Sequence, residues 1–169
     1  MNEKVKWAAV IVSVAFVIVG YKAFFPNDQE QIARRLTSLM HLLSKSKKES
    51  VISVAKKVTD SLTYFQPPVE IRLTGGGQVE RTLSAESLER IKQNISTIKF
   101  RYPWVNFKVE DLRTAVEPPQ AQSSTQIRME FEDSNQTAVY DLYDLQISWV
   151  YVESEWKIQK VHIESVGSE

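Results

Sequence analysis

The first apolar block along the chain is almost unbroken. From Trp7 to Phe25 it reads WAAVIVSVAFVIVGYKAFF, with Lys22 its one charge. At about 1.5 Å per residue this run reaches about 28 Å, close to the hydrocarbon thickness of a bilayer. A helix lying on a soluble core would show a polar face, and none interrupts this run before Lys22. Trp7, Tyr21, Phe24 and Phe25 stand at its two ends, where interfacial aromatics gather, and Lys22 is long enough to reach the headgroups. Residues 1–26 therefore read as a transmembrane signal anchor. A cleaved signal peptide with Lys4 and Lys6 as its basic start is the competing reading. Its small-x-small cleavage geometry is poor, because Tyr21, Lys22 and Ala23 run straight into Phe24. The small positive excess ahead of the span favours a cytoplasmic N-terminus and an exported domain, periplasmic in a bacterium.

Beyond the span the pattern becomes periodic. Asn27 or Asp28 can cap a helix in which Ile32, Leu36, Leu39 and Leu43 follow at spacings of four, three and four, over 28–45. Val51, Val54, Ala55, Val58 and Leu62 predict a second helix over 49–63, ended by Pro67-Pro68. Val69 to Leu73 alternates as a short strand, and Gly75-Gly76-Gly77 reads as a turn. Ser84 is the expected cap of a third helix carrying Leu88, Ile91, Ile95 and Ile98. After Pro103 the period falls to two. Val105, Phe107 and Val109 form one strand, and Ile127, Met129 and Phe131 another. A polar loop is expected at Gln120–Ser124 between them. A long strand spans 137–152, and Trp156 opens the last. In that last strand Trp156 and Ile158 share one parity while Val161 and Ile163 share the other, which calls for a bulge near Gln159-Lys160. The reading is α+β: a single N-terminal transmembrane helix, then a domain over 27–169 with three helices packed on a curved, mainly antiparallel sheet.

Composition narrows the chemistry. The 169 residues contain no Cys, so disulfides, thiolate metal sites and cysteine nucleophiles are excluded. Lys and Arg total 21, as do Asp and Glu, so the chain lacks the basic excess of a general nucleic-acid binder. His41 and His162 are the only histidines and show no metal-ligand spacing, so neither a metal nor a cofactor is expected. The balanced charge is unevenly placed. Residues 34–57 hold seven basic side chains against Glu49, and residues 129–156 hold seven acidic ones with no Lys or Arg. Lys45, Lys47 and Lys48 therefore mark an expected interaction surface for lipid or protein. No aromatic interleaves the basic set, as nucleic-acid binding would require.

The order of elements and the closing hairpin resemble the nuclear transport factor 2-like superfamily, with its ketosteroid-isomerase-like and SnoaL-like members. The resemblance rests on Tyr143-Asp144-Leu145-Gln146-Ile147-Ser148-Trp149, the turn to Glu155-Trp156-Lys157-Ile158, and Val161-His162-Ile163. It implies a cone of helices around a bent sheet, a fold that hosts enzymes, carriers and dimerisation modules alike. Isomerases of this kind use an Asp base with a Tyr/Asp oxyanion hole. Their motif does not map onto this chain residue by residue, so no catalytic residue is carried over. Asp141 and Tyr143, two apart on one strand face, and Asp111 on an earlier strand are the candidate polar contacts of a pocket. Trp149 and Tyr151 share the parity of Asp141, so that face is a pocket wall or a sheet-face dimer interface. The expected function is that of a membrane-anchored, non-catalytic binding or assembly module. Its partners would be the membrane through residues 7–25 and a protein or a second copy. The alternative is a pocket protein or an isomerase- or hydrolase-type enzyme acting on a small apolar ligand.

Overall fold

The computed structural model describes residues 27–75, 81–132 and 137–168. The apolar run 7–25 and the anchor read from it lie outside the described residues. Among those that are described, no helix is long and apolar enough to cross a membrane.

Helix α1 (Asp28–Leu43) begins where the side chain of Asn27 accepts the Glu30 amide at 2.8 Å, satisfying one of the orphan donors of the first turn. Its buried stripe is Ile32, Leu36, Leu39 and Met40. Ser50 caps α2 (Val51–Ser61) in the same way, through Ser53. A short 3₁₀ turn (Leu62–Tyr64) leads into β1 (Phe65–Thr74). Pro67-Pro68 thus lies inside a strand rather than just past a helix. The strand tolerates the two prolines because its ladder with the neighbouring strand is interrupted between Phe65 and Glu70.

An unexpected strand follows, β2 (Arg81–Ala85). Ser84 pairs with Glu70 in its ladder, so it is not a helix cap, and Ser87 precedes α3 (Leu88–Arg101) instead. On α3, Ile91 and Ile95 are buried, but the stripe continues to Lys99 while Ile98 is exposed.

The remaining chain is two long hairpins: β3 (Val105–Glu117), β4 (Gln120–Glu132), β5 (Ala138–Val152) and β6 (Glu155–Ser168). Residues 120–124, expected as a loop, belong to the β4 ladder. Their inward positions are small, Ala121 and Ser123, because they lie beneath Trp149 and Ile147. Small inward residues hide the alternation that marks a strand.

The six strands lie in the order β2-β1-β6-β5-β4-β3, antiparallel except for the parallel β1–β6 pair. The sheet bends at bulges. On β6, Ile158 faces Trp149 and Lys160 faces Ser148, so Gln159 is the extra residue, and the inward set passes from Trp156 and Ile158 to Val161 and Ile163. On β3 the register slips between Glu110 and Arg113, and the inward set passes from Val109 to Leu112. Asp111 occupies this second bulge at φ 49°, and Thr125 Oγ1 donates to the freed Glu110 carbonyl at 2.6 Å.

Against the concave face α1 packs Ile32, Leu36, Leu39 and Met40 onto Ala121, Ile127, Leu145, Ile147, Trp149, Trp156 and Ile158. A second cluster joins Val58 and Val69 to Ile91 and Ile95.

Asp111 is exposed and left-handed, a conformation that glycine adopts freely and a β-branched residue resists. Asp111→Gly should leave stability unchanged or raise it. Asp111→Val should lower it by about 1–2 kcal/mol, read as a shift in the urea midpoint.

Candidate functional site

Two polar groupings emerge from this frame. The first is on the concave face of β5. Tyr143 donates its hydroxyl to Asp141 Oδ2 at 3.2 Å. Burial, then the neighbouring Asp141 carboxylate, pushes the phenol up to about 12, so it stays protonated and spends its single proton on Asp141. The adjoining cleft, lined by Leu73, Thr74, Gly75, Tyr143, Ile163 and Ser165, measures about 170 Å³, below the range usual for small-molecule sites.

Asp111 does not join this pair. Its bulge lies beside the Thr125–Leu145 row, whereas Asp141 pairs with Met129. Four residues along and two strands across amount to about 16 Å of backbone separation. Asp111 shapes the bend of β3 instead. Trp149 is 1% exposed, with its indole N–H donating to Ser123 Oγ at 2.9 Å, so it belongs to the core and offers this chain no outer surface. Tyr151 is exposed and leans on the Trp156 ring, centroids 5.2 Å apart.

The second grouping sits where the C-terminal ends of α1 and α3 converge, the ends at which helix carbonyls lack partners and the dipole is negative. Three lysines meet there. Lys45 Nζ donates to the Lys99 carbonyl at 3.0 Å and the Tyr102 carbonyl at 2.9 Å. Lys57 Nζ donates to the Ser44 carbonyl at 3.3 Å, and Lys99 Nζ reaches the same oxygen at 3.2 Å. The Lys45 backbone bridges to Val105 in both directions, which locks this corner to the start of β3.

One carboxylate answers the three cations. Glu49 pairs with Lys57 at 2.9 Å and accepts Ser53 Oγ and the Ser46 amide. Its burial works to raise its pKa, but those hydrogen bonds outweigh that effect and hold it at about 2. Lys99 is fully buried. Burial first, and then the neighbouring Lys57 and Lys45, push its ammonium down to about 8, against the pull of Glu49.

In front of this cluster an open cleft of about 420 Å³ is lined by His41, Lys45, Lys47, Lys57, Trp104 and Asn106, with small side chains and Val105 between them. A second cleft of about 480 Å³ adjoins it between α1 and β3, sharing His41, Ser44 and Asn106.

The surface expected at Lys45, Lys47 and Lys48 is therefore not uniform. Lys45 is engaged with helix carbonyls, Lys47 pairs with Glu132 at 2.8 Å, and Lys48 is exposed. Arg35 likewise reaches Glu155 at 3.2 Å, so the basic and acidic sets partly meet within one chain. Sequence reasoning missed Lys99, Glu49 and Trp104. A Lys at an otherwise apolar helical position was the one available signal.

By sequence the chain matches no protein-family model, and no curated protein matches it significantly. Solved structures give the answer for the fold. The chain superposes on an NTF2-like protein with a cystatin-like fold from Novosphingobium aromaticivorans, with a TM-score of 0.63 and 10% identity over 88% of each chain. The fold is NTF2-like. A proposed dehydratase of the NTF2-like family from Streptomyces avermitilis matches with a TM-score of 0.62 and 13% identity, over 83% of this chain and 96% of that one. A proposed scytalone dehydratase from N. aromaticivorans matches with a TM-score of 0.64 and 10% identity, over 83% and 85%. At such identities the likeness establishes the NTF2-like fold and no activity.

The Lys99 shift fixes a pH dependence. Its native pKa of about 8 lies below the ordinary value of 10.5. Between the two, the unfolded chain holds a proton that the native one has released, so stability rises with pH across this window, and the full cost applies below pH 8. Wild-type protein should thus gain stability from pH 8 to pH 10 in urea titrations. Lys99→Met, of similar length and without charge, should be flat over the same window and at least as stable at pH 7.

Proposed function

We propose that this chain is a membrane-tethered binding module whose NTF2-like domain works by contact rather than catalysis, on the outer side of the membrane. The observation that carries this reading is where the space lies. The concave face is filled by Trp149, Trp156, Leu36 and Leu39, each at most 2% exposed. Its polar groups are turned on one another, Tyr143 on Asp141 and the Trp149 indole on Ser123. Clefts of about 420 and 480 Å³ open at the basic end of α1, and at the start of α2 Val51 and Ile52 stand 70% and 83% exposed. Apolar groups next to cationic ones suit a partner surface.

The tether supports a direction for that surface. With a span ending at residue 25, the first residue of α1 is held within roughly 10 Å of the membrane, because three residues reach no further. The 16 residues of α1 then extend about 24 Å. A domain standing on the membrane therefore holds its basic cleft beyond the reach of headgroup charge, which is screened within about 8 Å. This favours a soluble or protein partner over the lipid surface for Lys45 and Lys47, which line the cleft.

The pocket-enzyme alternative draws on the names of the two proposed dehydratases and on the Asp141–Tyr143 contact. Three measurements separate the readings. The full chain should stay with membranes through a carbonate wash, and the chain lacking residues 1–26 should not. Native mass spectra of the full chain from detergent should show no small molecule whose retention depends on Asp141. Asp141→Asn should leave partner binding unchanged within twofold. A reproducible extra mass lost in Asp141→Asn would establish the pocket reading instead.

A further inference from the structure

The lysine corner does more than cap two helices. Each ammonium carries three N–H donors. Lys45 spends two on carbonyls, Lys57 spends two on a carbonyl and Glu49, and Lys99 spends one. Every one of the three therefore keeps at least one donor without an acceptor among the described residues. Two of the three charges lack an ion pair: Glu49 pairs with Lys57, and among the described residues neither Lys45 nor Lys99 has a carboxylate within 4 Å. Burial first, and then the charges of Lys57 and Lys45, drive Lys99 toward its neutral form.

The cleft in front of them has a consistent chemistry. Each ionisable side chain on its wall is basic: His41, Lys45, Lys47 and Lys57. Trp104 adds a flat apolar wall and Asn106 a neutral polar group. A cleft of about 420 Å³ has room for an anionic group and for a further part of the molecule that carries it.

We propose that this cleft is a binding site for an oxyanion, a phosphate or carboxylate carried by a small soluble molecule, held by Lys45 and Lys57 with the charge of Lys99 behind them and Trp104 alongside. The proposal names a ligand class for the cleft that the functional reading already treats as the contact surface. It does not rest on the membrane tether.

The groups facing Lys99 are Lys57 on α2, Glu49 just ahead of α2, and Lys45 in the link after α1. An anion in the cleft restores a charged Lys99, so binding at pH 8 to 9 takes up a proton. A capping role alone gives no such coupling.

The test is calorimetric titration of the full chain in detergent with inorganic phosphate, against chloride at equal ionic strength. Saturable binding to one site is expected, with a heat at pH 8.5 that varies with the ionisation enthalpy of the buffer. Lys57→Gln should weaken binding at least tenfold, and Lys99→Met should abolish the proton uptake while the protein stays folded. Lys48→Gln, exposed and off the cleft wall, should change affinity less than twofold. Binding that is absent, or equally sensitive to Lys48→Gln, would overturn the proposal. So would retention on phosphatidic acid vesicles that phosphate does not displace, which would assign the same chemistry to a headgroup. A chain that embeds in membranes yet binds no phosphate fails this proposal and leaves the tethered-module reading standing.

Discussion

A sheet that bends around a helix must keep one face apolar along strands that change direction. With a side-chain period of two, a strand can change its inward parity only by inserting a residue. This chain inserts Asp111 on β3, Gln159 on β6 and one more residue near Val166, where the register slips between Leu142 and Tyr143. The insertions at Asp111 and Gln159 return apolar residues to the concave face after the bend: Leu112 and Val116 on β3 in one case, Trp156 and Ile158 giving way to Val161 and Ile163 on β6 in the other. The strands, 13 to 15 residues in the two long hairpins, can therefore enclose α1 instead of running flat past it. Trp149 and Trp156 occupy the resulting hollow. Trp156 also donates its indole N–H to Asp28 at 3.1 Å, which ties the start of α1 to the last strand.

The far end of α1 meets the opposite constraint. Packing α1 on the sheet and α3 on the adjoining cluster, with Leu43 touching both, brings their C-terminal carbonyls together at Ser44, Lys99 and Tyr102. Negative dipole ends side by side attract cations, and three lysines supply them. Only one acid, Glu49, is within reach. The electrostatics that finish the helices thus leave positive charge at an open cleft. The structural role and the proposed binding role have the same origin there, and the buried Lys99 connects them.

Much of this architecture could be read from periodicity. The spacing of Ile32, Leu36 and Leu39 marks α1, and the change of parity between Ile158 and Val161 marks the β6 bulge near Gln159-Lys160. The β3 bulge was not visible in the same way, because Leu112 and Val116 follow Asp111 with weak alternation. Strand β2 was hidden by Ser84, a residue equally suited to a cap. The beginning of β4 was hidden by inward Ala121 and Ser123, whose size is set by Trp149 on the neighbouring strand. The lysine corner was legible only as an excess of charge. Lys45, Lys57, Lys99 and Trp104 come from four separate segments, and nothing local in the chain says that they meet. Charge counting also could not show that Lys47 and Arg35 are answered by Glu132 and Glu155 of the acidic set.

A deep pocket and this core compete for the same volume. The NTF2-like frame can be hollow beneath its sheet, and hollowing this one would mean truncating groups such as Trp149 or Leu36. A large-to-small change at a buried aromatic costs about 3–5 kcal/mol, against a total stability of about 5–15 kcal/mol for an ordinary domain. Two such truncations could remove the margin. The chain has taken the other course, with a filled interior and the polar, charged volume placed at the rim, where α1 and α3 end. Recognition at a rim needs little rearrangement of the core, so the domain can bind there without loosening the packing that holds α1 in the bend of the sheet.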